Sequence, residues 1–215
     1  EGSPWLNPEI KRLAIELDKS LLKRGLKTKQ LLCEAEGINY LYEKDSYLKK
    51  RKNINKNPEE DLPCDQIRAF FDPDSKDYIG HLKSLPRKIG AHDYHTHTSN
   101  EQIASTRKKL KECADKYGVQ FMQTEWCLLP WGICKDDMPQ KNPSDMDISL
   151  LMAKLIHTDL AHVNAPSWGY WKAFEINGDH ALTGVSPKDG DICQGGNVFT
   201  RKKLWTLGNY SFFIR

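Results

Sequence analysis

Apolar residues recur at helical spacing over residues 8–24, at Ile10, Leu13, Leu17 and Leu21, with charged residues between them. Asn7 suits the cap, Pro8 the first helical position and Glu9 the positive end of the helix dipole. Lys23, Arg24 and Gly25 close the helix. The pattern then shortens to a strand at about 27–34 that ends on Glu34. Residues 37–63 are irregular and rich in Tyr, Lys and Asn, with Tyr40 and Tyr42 placed to wall a ligand or simply to stand on a loop. Short helices are predicted over 64–71 and 75–83, broken at Pro73, and a strand over 88–94. Ser99 or Asn100 caps a helix that runs to about 117. The stretch Gly118–Leu129, GVQFMQTEWCLL, then makes a buried strand carrying Glu125 near its end. Ser144 and Asp145 open a helix to about His162, followed by a strand over 167–175, a polar Gly-rich loop over 177–197, and a last helix capped by Thr200.

Alternating helices and strands imply a parallel sheet covered by helices, whose working residues lie beyond the C-terminal strand ends. Those ends carry Glu34, then His92, Asp93 and Tyr94, then Glu125, then Trp171. Polar and aromatic groups therefore converge on one rim. No strand is followed by GxGxxG or a Walker motif, so a phosphate-binding doubly wound sheet is disfavoured and a (β/α) barrel favoured. The four predicted strands are half of an eight-stranded TIM barrel.

Composition narrows the class. At 215 residues with 39% hydrophobic and 28% charged content, the chain is long enough for one domain with a real core. A net charge of +3 is too small to imply nucleic acid, and no apolar run reaches the ~20 residues of a membrane span. The basic run Lys49–Lys52 lies in an Asn- and Pro-rich loop and is expected to be solvated. None of the six cysteines forms a C-x-x-C pair; Cys33, Cys113 and Cys127 fall inside predicted elements as buried thiols. The chain opens on Glu1 rather than Met, which points to processing or truncation.

GAHDYH on one strand, QTEWC on the next and SWGYWKAF on the last resemble strands six, seven and eight of glycoside hydrolase family 30. EGSPW resembles the segment after that family's fourth strand, and LGNYSFFIR its eighth helix. The resemblance implies the second half of a (β/α)8 barrel, strands five to eight, spanning residues 1–215, closest to the endo-β-1,6-galactanase-like branch. It also implies a retaining hydrolase of β-linked polysaccharide that needs no cofactor, with Glu125 as nucleophile and Tyr94 orienting it. The family's acid/base glutamate would lie upstream of Glu1, which puts turnover by this segment in doubt. The resemblance also implies export, to the periplasm, the cell surface or the medium, because such enzymes usually meet their polysaccharide outside the cytoplasm.

Other rim residues stay open between roles. Glu34 is placed to bind a sugar hydroxyl, to hold Glu125, or to make a rim salt bridge. His92 and Asp93 match the strand-six motif as substrate contacts; against this, Asp93, His95 and His97 share one face and could ligate a metal. Trp171 is expected as a sugar-stacking floor that Trp126, Trp131 and Trp168 could extend; core packing is the rival role and the preferred one for Trp168 and Trp205. Asn209-Tyr210-Ser211 is a glycosylation sequon inside a predicted helix and is discounted. The rival class is a non-catalytic sugar-binding or structural half-barrel, self-associating through open sheet edges.

Overall fold

The computed structural model describes residues 5–44, 64–129, 132–139, 141–176 and 180–214. Trp131 and the basic run Lys49–Lys52 lie outside them. Helix α1 (Asn7–Lys23) leads to β1 (Leu32–Ala35) and a 3-10 turn, Ile38–Leu41. Helix α2 (Gln66–Phe71) precedes β2 (Lys88–His92), and α3 (Asn100–Tyr117) carries the chain to β3 (Gln120–Glu125). These strands form a parallel sheet in the order β1-β2-β3. After α4 (Asp145–His162) a second sheet follows, of β4 (Phe174–Ile176), β5 (Thr183–Lys188) and β6 (Asp191–Thr200), then α5 (Lys202–Phe213). The architecture is a mixed α/β fold of two small sheets, and among the described residues no barrel closes.

Helix α3 shows why its sequence stops where it does. Ser99 accepts a hydrogen bond from the Gln102 amide at 3.1 Å, and Gly118 ends the helix at φ 61°, a conformation open to glycine without strain. One face of the helix carries Leu110 and Ala114 into a core with Ile89, Ala91 and Phe121 of the strands and Phe70 and Phe71 of α2. A second cluster lies beneath the rim, where Leu151, Met152, Leu155 and Ile156 of α4 pack against Trp126, Cys127 and Tyr94.

Several sequence expectations are corrected. Leu6, not Asn7, caps α1; Asn7 lies inside the helix and donates to the Cys64 carbonyl at 2.9 Å. The buried residues of α1 are Asn7, Ala14 and Asp18, while Leu13 and Leu17 of its leucine stripe are exposed. Asp18 is inward because the Ser84 amide and hydroxyl both donate to it, at 2.7 and 2.6 Å. Residues 75–83 make successive turns instead of a helix. Tyr40 is buried and Tyr42 half-buried against the core, so neither is an exposed loop aromatic. Trp205 is exposed, and Cys33 and Cys113 are only half-buried.

The expected fourth parallel strand does not form over 167–175. Instead residues 169–171 run beside β3, with the Gly169 amide 3.2 Å from the Gln123 carbonyl and the Trp171 amide 2.9 Å from that of Trp126. The expected loop over 177–197 contains a hairpin. Lys188 pairs with Asp191 across Asp189 and Gly190, whose φ values of 52° and 79° are those of a two-residue primed turn.

Candidate active site

Two irregularities at the C-terminal ends of the strands build the site. In β1 the pairing with β2 shifts between Cys33 and Ala35, leaving Glu34 as an extra residue at φ 61°. In β3 the partner of Ala91 is Gln123 but that of His92 is Glu125, leaving Thr124 as the extra residue. A bulge re-aims the side chains beyond it. Here the two bulges turn Glu34 and Glu125 toward His92 from opposite sides.

The rim is a connected set. The Tyr94 hydroxyl donates to Glu125 Oε1 at 3.0 Å, and His92 Nδ1 lies 3.4 Å from the same oxygen. His92 Nε2 is 3.2 Å from Glu34 Oε2, to which the Thr124 hydroxyl donates at 2.8 Å. Burial pushes the Tyr94 phenol up, so it remains a proton donor to Glu125. The hydrogen bond from His92 lowers Glu34, with Thr124 adding to the effect against desolvation, so Glu34 stays a carboxylate at neutral pH. Cys127 lies 3.5 Å from the Tyr94 hydroxyl, and burial raises its thiol.

Strand alternation sends Asp93 the other way, into the core. Its carboxyl is fully buried 3.0 Å from Arg107 Nη2, while Arg107 Nε donates to Asp159 Oδ1 at 2.9 Å and Nη1 to the Thr96 carbonyl at 2.7 Å. Burial raises Asp93 well above the usual carboxylate range, more than the guanidinium lowers it. A proton there leaves one buried charge pair, Arg107–Asp159, instead of an excess negative charge. Asp159 also accepts from the Trp168 indole at 3.0 Å, which ties the last rim segment to the same network. Nothing in the sequence reading marked Arg107, although it stands with Ile103, Leu110 and Ala114 on the buried face of α3, where an arginine demands a partner.

Of the expected substrate contacts, His92, Glu34 and Trp171 reach the surface; Trp171 is 47% exposed at the rim. Asp93 and Trp126 are fully buried and present no surface to a sugar. Trp126 packs edge-on against His97 and Tyr170 and at a tilt against Trp168. The metal alternative does not assemble: Asp93 faces Arg107, His95 meets Glu36 at 3.0 Å, and His97 bonds the Asp93 carbonyl at 3.0 Å. No group of three His, Cys, Asp or Glu residues fit to hold a metal occurs among the described residues.

His97 gives the fold a built-in acid sensitivity. Burial lowers it to about 4. Between pH 6.5 and 4 the unfolded chain takes up a proton that the folded chain refuses, so stability falls by about 3 kcal/mol across that window and no further from this source below it. In urea unfolding, the stability gap between the wild-type chain and His97→Gln is therefore expected to narrow as pH falls from 7 to 4. A gap constant with pH would mean that His97 is not held neutral.

Glu125 thus stands at the end of a parallel strand with Tyr94 and His92 both at its Oε1, on an α/β frame. The chain matches the O-glycosyl hydrolase family 30 model over residues 1–180 and belongs to that family. Among solved structures it is similar to a conserved exported protein from Bacteroides fragilis, with a TM-score of 0.82 and 27% identity over 100% of this chain and 42% of that one. The chain thus spans less than half the length of that neighbour. Comparison with curated protein sequences gave no match.

Proposed function

We propose that this chain carries the nucleophile side of a retaining glycosidase site, with Glu125 as nucleophile, acting on a β-linked polysaccharide such as β-1,6-galactan. The observation that carries this reading is that Tyr94 and His92 both engage Oε1 of Glu125, which leaves Oε2 free to attack an anomeric carbon. Attack forms a glycosyl ester on Glu125 as the leaving oxygen departs; water then attacks the same carbon and the carboxylate is released. Trp171 supplies an exposed ring face for the sugar beside the scissile bond.

A retaining mechanism needs a second carboxyl about 5–5.5 Å from the nucleophile, acting first as acid. Glu34 is unsuited to that role, since its interactions favour the ionised form and a general acid requires the reverse. The proton donor is expected from the other half of a (β/α)8 barrel, in which β1, β2, β3 and the 169–171 segment beside β3 would take the places of strands five to eight. Exposed Leu13 and Leu17 on one flank, and Phe174, Ile176 and Val198 on the other, support that reading, because a completed barrel would cover such faces. Until covered, these flanks favour self-association. Export is supported by the description of the structural neighbour, and among the described residues no helix is long and apolar enough to cross a membrane.

The test is intact mass after incubation with 2-deoxy-2-fluoro fluorides of galactose, glucose and xylose. Fluoride departs without an acid catalyst, so only the nucleophile side is needed. An adduct on Glu125, absent in Glu125→Gln, is the expected result and identifies the sugar. A folded wild-type chain that takes up none of the three would favour a non-catalytic, sugar-binding or structural role.

A further inference from the structure

We propose that Glu34 is a positioning residue for Glu125, acting through His92, whose ring is gripped by one carboxylate at each nitrogen. The proposal rests on the reading of Glu125 as nucleophile and adds to it a carboxylate from a different strand. His92 Nε2 is 3.2 Å from Glu34 Oε2 and Nδ1 is 3.4 Å from Glu125 Oε1. The Nε2 contact with Glu34 is a hydrogen bond, and it fixes the plane in which Nδ1 is presented to Glu125. Glu125 thus faces a ring fixed in orientation from its far side, and Oε1 is held while Oε2 remains available.

The backbone is shaped to deliver Glu34 to this place. A glutamate at φ 61° is uncommon and costs free energy, and such residues concentrate where function requires them. The extra residues of both bulges, Glu34 and Thr124, meet over Gly90 of β2. A Cβ at Gly90 would lie 2.8 Å from Glu34 Oε1 and 3.0 Å from Thr124 Cγ2. The absent side chain at Gly90 is the space that the Glu34 carboxylate crosses to reach His92 and Thr124. Glu34 is half-exposed, so a purely structural ion pair would give little reason for this arrangement.

The test compares wild type, Glu34→Gln and Gly90→Ala with two measurements. The first is the rate of trapping by whichever of the three fluoro-sugar fluorides labels Glu125, separated into limiting rate and half-saturating concentration. The second is the ¹⁵N spectrum of the His92 ring, which reports protonation at each nitrogen. Glu34→Gln is expected to lower the limiting rate about 10- to 100-fold, the scale of a slight misplacement of a reacting group, with half-saturation unchanged. Its His92 spectrum is expected to change at Nε2, the nitrogen that meets Glu34. Gly90→Ala, with Glu34 intact but displaced, is expected to do the same in part. A raised half-saturating concentration at an unchanged limiting rate would make Glu34 a sugar contact and overturn the proposal. A His92 spectrum identical in wild type and Glu34→Gln would overturn it even if no sugar traps. A wild type that fails to trap while its spectrum responds to Glu34→Gln would instead sink the nucleophile reading.

Discussion

Arg107→Met is expected to destabilise the fold by about 3–5 kcal/mol, the cost of removing one partner from a buried ion pair. The substitution keeps an unbranched apolar side chain in place of the arginine stem, so little packing is lost. What remains is Asp159, fully buried and without the guanidinium that neutralised it, still accepting from the Trp168 indole, and the Thr96 carbonyl without its Arg107 donor. Asp93 is less affected, because burial already favours its protonated form. The measurement is urea unfolding followed by tryptophan fluorescence. The triple change Arg107→Met, Asp93→Asn, Asp159→Asn removes the stranded charges along with the cation and should recover a large part of the loss. A single variant as stable as wild type would show that these groups are not excluded from water. The site depends on this network through Asp93, which lies between His92 and Tyr94 and whose amide donates to the Glu125 carbonyl at 3.3 Å.

Much of this site is legible in the sequence, and the limits have physical causes. The strand ending in Glu125 shows in its apolar run and its punctuation, and α3 in its Ser99 cap and Gly118 stop, because these signals are local. Periodicity also placed His92, Tyr94 and Glu125 at one rim. It could not show the bulges at Glu34 and Thr124, since one extra residue near a strand end barely alters an apolar pattern yet decides which side chains meet. The leucine stripe of α1 misled for another reason. Helical spacing identifies an apolar face without saying what covers it, and Leu13 and Leu17 face away from the described core. Two signals were present but unread: Asp189-Gly190, the dipeptide of a tight hairpin, and Arg107 on the buried face of α3.

Gly169→Ala is expected to cost about 3 kcal/mol, toward the upper end for an overpacked site, and to displace Trp171. A Cβ at this glycine would sit 2.3 Å from the Thr124 carbonyl oxygen and 2.8 Å from its carbon. Both are backbone atoms of β3, so no side-chain rotation relieves the overlap, and segment or strand must move. The segment is held to β3 by the Gly169 amide, which donates to the Gln123 carbonyl at 3.2 Å and to the Gln123 side-chain oxygen at 2.7 Å. Two residues on, the Trp171 amide bonds the Trp126 carbonyl and sets the ring beside the rim. Trp171→Ala separates the two consequences. Its ring is about half exposed, so its removal should leave urea stability nearly unchanged while raising the half-saturating concentration for trapping at Glu125. Gly169→Ala should change both. If it changes neither, the 169–171 segment does not press against β3 as closely as these distances require; if it changes stability alone, the position of Trp171 does not depend on Gly169, and the exposed ring is held at the rim by its neighbours after residue 171.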